Sequence, residues 1–152
     1  MPALTGGDKL QSMLASIDAR LATAGTAPSV QIGFLEGGRY PDGTSIPAVA
    51  FWNEFGVPEH NQPPRPYFRT MIRQKAPTWG DDMLKVLKAA NFDAAVTLAR
   101  MGDLIKGQLQ QSIKDLVSPA LAPSTIRRKG FDKPLIDTGM MWQSVDYKVS
   151  TP

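Results

Sequence analysis

Ala95, Leu98, Met101, Leu104, Ile105, Leu109, Ile113 and Leu116 recur at steps of mostly three and four residues. That spacing returns to one side of an α-helix at each turn, and it predicts a single long helix over residues 92–117 with a nearly unbroken apolar stripe. Lys106, Gln110, Gln111 and Lys114 fall off the stripe. In water such a helix owes its stability to packing of that apolar face, so the remaining segments have to cover it.

Two alternating segments are the candidate cover. Val30, Ile32 and Phe34 alternate with Gln31 and Gly33, and Val145, Tyr147 and Val149 alternate with Asp146 and Lys148. Each reads as a strand with one buried face. Between them the helices are short or punctuated. Pro47 opens one that carries Val49 to Phe55 and stops at Gly56. Pro66 opens another with Tyr67, Phe68, Met71 and Ile72 inward, which Pro77 and Gly80 are expected to interrupt; Asp81 or Asp82 would then cap a new turn. Residues 123–129 suit one or two helical turns ended by Gly130, and Asp137 or Thr138 would cap a brief helix reaching Trp142. Ahead of all this, Leu10, Met13, Leu14, Ile17 and Leu21 predict an N-terminal helix. The fold class expected is α+β, with a small antiparallel sheet packed by a long helix and shorter ones and with extended loops or arms. The chain reads as one domain over residues 1–152, an N-terminal helix in 1–27 and an α+β body in 28–152.

Composition removes several function classes. The chain has no Cys and one histidine, His60, which excludes disulfides, thiolate nucleophiles and His-rich metal cages. No secretory leader or bilayer-length apolar run is evident, so a cytoplasmic site of synthesis and no membrane partner are expected. The net charge of +3 is a mild excess, below that of a dedicated nucleic-acid binder. There is no phosphate-binding Gly-Lys loop, nucleophile elbow or His-Glu-x-x-His, and neither an enzyme nor a cofactor or metal is expected.

Four segments remain as candidates. Glu54 and Glu59 near His60 have the residue types of a hydrolytic carboxylate pair, but a capping or solvated role is the simpler reading. Phe51, Trp52, Phe55, Tyr67 and Phe68 form an aromatic cluster suited to a core or a subunit interface, and less to base stacking. Arg127, Arg128, Lys129 and Lys133, with Asp132 among them, form the main positive cluster, able to meet a neighbour or DNA phosphates. The glycine-rich run 36–44 contains Pro41-Asp42-Gly43, the signature of a tight turn in a hairpin arm.

Three motifs carry a family resemblance. They are Val-Ala-Phe-Trp-Asn-Glu-Phe-Gly at 49–56, Pro-Pro-Arg-Pro-Tyr-Phe-Arg at 63–69, and Pro-Ser-Thr-Ile-Arg-Arg-Lys-Gly at 123–130, continued by Lys-Pro-Leu-Ile-Asp-Thr-Gly at 133–139 and Ser-Val-Asp-Tyr at 144–147. In this order the chain resembles the neck and tail-completion proteins of tailed bacteriophages, a group also described as virion morphogenesis or minor tail proteins. The likeness spans most of residues 30–149. It implies an α+β subunit of a virion ring, usually of six copies, between head connector and tail tube. Its partners would be copies of itself, a head connector or head-closure protein, a tail terminator or tube protein, and DNA passing through the lumen without sequence specificity. Assembly would take place in the host bacterial cytoplasm, and the family has no catalytic residues to carry over.

A ring needs a heterologous interface, two different patches meeting head to tail. One patch is expected at Phe51, Trp52, Phe55, Arg65, Tyr67, Phe68 and Arg69, whose aromatic and arginine types dominate interface hot spots. The other is expected in the loop 127–137 or in the glycine-rich arm, with Arg127, Arg128, Lys129 and Lys133 touching a neighbour or DNA. On this reading Trp52→Ala or Arg69→Glu would abolish the ring and leave a folded monomer. A tail terminator or head-closure subunit is the neighbouring alternative. A small basic nucleic-acid-binding protein is the alternative of another class, and a hydrolase using His60 comes third.

Overall fold

The computed structural model describes residues 28–135 and 139–151, together with positions 11, 12 and 15. The expected N-terminal helix therefore lies almost wholly outside the described residues, as do the expected caps Asp137 and Thr138.

The order of elements is β1 (Ser29–Phe34), α1 (Ile46–Phe55), a 3-10 turn (Pro58–His60), α2 (Tyr67–Ala89), α3 (Ala94–Asp115), α4 (Pro123–Lys129), α5 (Met140–Gln143) and β2 (Val145–Ser150). The two strands come from opposite ends of this body and pair antiparallel. Their register joins Val30 to Val149, Ile32 to Tyr147 and Phe34 to Val145. All three pairs thus place apolar side chains on one face, as the alternation requires. The α+β class follows directly, with α3 and α2 packed together and α3 lying against both strands.

The core gathers Tyr67 and Met71 of α2, Leu109 and Ile113 of α3, Leu135, Met141 of α5 and Val145 of β2. Phe34, Phe68, Trp79, Ile105, Leu116 and Trp142 pack around it. The α3 stripe is nevertheless narrower than its sequence pattern. Leu104 is exposed, whereas Thr97 and Gly102 are buried. Gly102 is buried because Tyr147 of β2 lies directly on it, and a methyl group there would be driven into the ring.

The largest departure from expectation is in α2. It runs unbroken through Pro77 and Gly80, and no new helix begins at Asp81 or Asp82. A proline inside a helix costs about 3 kcal/mol. Here the helix lies along α3, and Trp79 just beyond the proline is tied to it by its Nε1–H, which donates to Gln108 Oε1 at 2.9 Å. Packing outweighs local preference. The break that does occur, at 90–93, has a clear local cause: Asn91 and Phe92 adopt left-handed conformations, and Asp93 then caps α3 by accepting from Val96 N at 2.9 Å.

Candidate functional site

The motif 49–56 folds as α1. Ser45 caps it, Pro47 sits in its first turn, and Gly56 ends it with a left-handed φ of 79°. The glycine is required twice over. A side chain would strain that φ, and its Cβ would lie 2.7 Å from the Gln62 carbonyl oxygen and 2.8 Å from Pro64 N. So the prolyl segment 62–64 is pressed against the end of α1, and Arg65 N donates to Asn53 O at 2.7 Å.

α1 is mostly apolar, but only one side of it is fully buried. Ile46, Ala50 and Glu54 are buried. Phe51, Trp52 and Phe55 are 59, 45 and 50 % exposed. The rings of Phe51 and Phe55 lie 4.6 Å apart, and the Arg69 guanidinium sits 4.9 Å above Phe55.

Glu54 makes this surface rigid. Helix α2 begins after Pro66, which has no side-chain acceptor to offer its first N–H groups. The Glu54 carboxylate supplies it from α1. Its Oε2 accepts from Phe68 N at 2.9 Å, and its Oε1 accepts from Arg69 N at 3.1 Å and from Arg69 Nε at 2.8 Å. Arg69 also donates to the Glu54 carbonyl oxygen at 3.1 Å. One buried carboxylate thereby joins two helices, caps the second and fixes the arginine beside the aromatic patch.

Of the seven residues expected at an interface, Phe51, Trp52, Phe55 and Arg69 are exposed, and Phe68 is half-buried. Two need correction. Tyr67 belongs to the core, with its hydroxyl donating to Ala50 O at 3.0 Å and its pKa pushed up, chiefly by burial. Arg65 is also buried. Both follow from the start of α2, which turns its first residues inward under α1. The Arg69→Glu test needs correction too. It would set a second carboxylate against the buried one of Glu54 and damage the monomer itself.

The two segments offered as alternatives for the second patch prove to be neighbours. In the hairpin 39–45, Tyr40 N donates to Thr44 O and Gly43 N to Tyr40 O, both at 2.9 Å. Asp42 accepts from Thr44 N, and that bond draws its pKa down. Together with residues 120–135 this hairpin walls a groove of about 840 Å³ on the Val49 and Asn53 side of α1. Arg128 and Lys129 lie on its wall, while Arg127 and Lys133 are exposed outside it. Lys129 Nζ donates to the Lys133 carbonyl oxygen at 2.9 Å and lies 5.0 Å from the Phe131 ring.

The residues weighed as a hydrolytic pair are not gathered in one place. Glu54 lines a small cleft with Phe51, Phe55 and Arg69, His60 lines the groove, and Glu59 is exposed. Sequence reasoning gave Glu54 a capping role at most, and it missed that the helix capped is α2. The signal available was a Pro at the cap position of a following helix, which leaves N–H groups to be satisfied from elsewhere. Among the described residues, no group of three or more His, Cys, Asp or Glu is arranged to hold a metal ion, and no helix is long and apolar enough to cross a membrane. No family model, curated protein or solved structure matches the chain.

Proposed function

We propose that this protein is a structural subunit of a tailed-bacteriophage particle, a neck or tail-completion protein that assembles into a ring between the head connector and the tail tube. The observation that carries this reading is the outer side of α1. The apolar residues of α1 extend well beyond its buried side, and the chain leaves three large ones exposed. Isolated exposed apolar residues are ordinary, but three large aromatics on one short helix are a docking surface. The surface is also pre-organised. Gly56, the prolyl segment behind it and the Glu54–Arg69 pair hold it in place, so little entropy remains to be lost on docking. The three-motif resemblance to phage neck and tail-completion proteins supplies the biological setting.

The complementary patch is assigned to the outer surface of the segment 120–135, where Arg127 and Lys133 are exposed outside the groove. That surface and the aromatic face are two different patches, as head-to-tail closure of a ring requires. DNA then passes through the lumen without being read. A double variant Phe51→Ser/Phe55→Ser removes apolar surface that is at least half exposed, so the monomer should keep its helical signal and melting behaviour. Sedimentation should show the wild type as a ring and the variant as a monomer. Rings formed equally by both proteins, or a wild type that stays monomeric with and without tail-tube protein, would refute the reading.

A further inference from the structure

The groove beside α1 is lined by an arginine whose Nε has no hydrogen-bond partner among the described residues. Arg65 is only 7 % exposed, and its Nε is buried without a hydrogen-bond partner. The backbone around it is fully committed. Its N–H donates to Asn53 O, its carbonyl accepts from Tyr67 N at 2.8 Å, and prolines stand on both sides. Burial alone pulls the guanidinium pKa down, and it does so without a neighbouring carboxylate acting in the other direction. Buried charges in folded proteins are paired as a rule, because an unpaired one forfeits its hydration with no return. Of the described residues lining the groove only Asp42 is acidic, and it accepts from Thr44 N. Arg128 and Lys129 add positive charge on the wall, and Val49, Leu121 and Met141 supply apolar surface.

We propose that this groove is a binding site for an acidic polypeptide segment, with Arg65 receiving an aspartate or glutamate carboxylate. The terminal nitrogens of an arginine so nearly enclosed are reached only by a group at the end of a slender stem. A carboxylate on its aliphatic side chain has that form, and the apolar wall suits the stem. A phosphate in the backbone of a duplex is held close to a broad helix and does not reach the floor. The planar carboxylate also matches the donor edge of arginine. The inference stands on the groove itself and does not depend on the ring. A protein that stays monomeric but binds an acidic peptide here would sink the ring and keep this site.

The test is a titration of the isotope-labelled full-length protein, following the Nε–Hε resonance of Arg65 by NMR. That resonance is assigned through its disappearance in Arg65→Lys. The probes are the capped tripeptide Ala-Glu-Ala, its Ala-Gln-Ala counterpart, inorganic phosphate and a short DNA duplex. The glutamate peptide should shift the resonance saturably and bind about tenfold more tightly than the glutamine peptide, the gain of one charge-assisted contact. Arg65→Met should remove that preference and melt no lower than wild type, since it replaces a largely buried guanidinium by apolar volume. Equal binding of the two peptides, or no movement of the resonance with either, would overturn the proposal. So would saturation by phosphate or by the duplex in preference to the glutamate peptide. If Arg65→Met fails to fold, the wild-type titration decides alone.

Discussion

Replacing Glu54 by Gln should weaken the fold far more than a change of one atom suggests. The carboxylate is 4 % exposed and receives two backbone N–H groups from the start of α2 and the Nε of Arg69. Glutamine keeps one acceptor oxygen and turns an NH2 group toward the remaining donors. Loss of a helix cap costs about 1 kcal/mol. A buried N–H left facing another donor costs roughly 1–3 kcal/mol. The ion pair contributes under about 1 kcal/mol, because the Arg69 side chain is 56 % exposed and solvent screens it. The sum is about 3 kcal/mol, a large part of the 5–15 kcal/mol typical of a folded domain. With a urea slope of about 2 kcal/mol per molar, the unfolding midpoint should fall by about 1.5 M. Arg69→Gln is the control and should cost no more than about 1 kcal/mol, since the cap survives it. A midpoint for Glu54→Gln within about 0.3 M of wild type would show that the carboxylate does not hold α2, and would remove the reason for treating the aromatic face as pre-organised.

Gly102→Ala drives a methyl into the Tyr147 ring between α3 and β2, and should destabilise by about 1–3 kcal/mol in thermal or urea unfolding; Gly102→Ala combined with Tyr147→Ala should recover part of that loss. Gly56→Ala combines left-handed strain with a backbone clash and should cost about 2 kcal/mol or more in urea unfolding; under the proposed ring function, sedimentation should show assembly lost alongside. Tyr67 has a pKa raised in the folded state, so the stability tied to its neutral form is complete below the unfolded value of about 10 and is lost as pH rises beyond it. Alkaline unfolding followed by circular dichroism should therefore be shallower in Tyr67→Phe than in wild type. Asp146 is held low chiefly by the hydrogen bond from Lys106, so its small contribution is present above about pH 4 and fades as pH falls below it. Asp146→Asn should flatten the acid limb of the stability profile.

Much of this fold was legible in the chain alone because its causes are local. The extent of α3, the proline starts and glycine stops of α1 and α4, the turn at 41–43 and both strands follow from periodicity, prolines and glycines within a few residues of each element. What the tertiary structure decided are the places where a distant partner prevails. α2 continues through Pro77 because α3 lies along it, and a break there would forfeit that packing. Leu104 is left outside the core while Gly102 enters it, because β2 approaches α3 from a direction that the stripe does not specify. Glu54 is a structural clamp only because α2 starts beside α1, and Tyr67 and Arg65 turn inward for the same reason, leaving Phe51, Trp52 and Phe55 to face outward. Sequence spacing determines which side of a helix a residue occupies. Whether that side is covered, and by what, depends on contacts between segments far apart in the chain, and here those contacts also leave Arg65 buried, its Nε without a hydrogen-bond partner among the described residues.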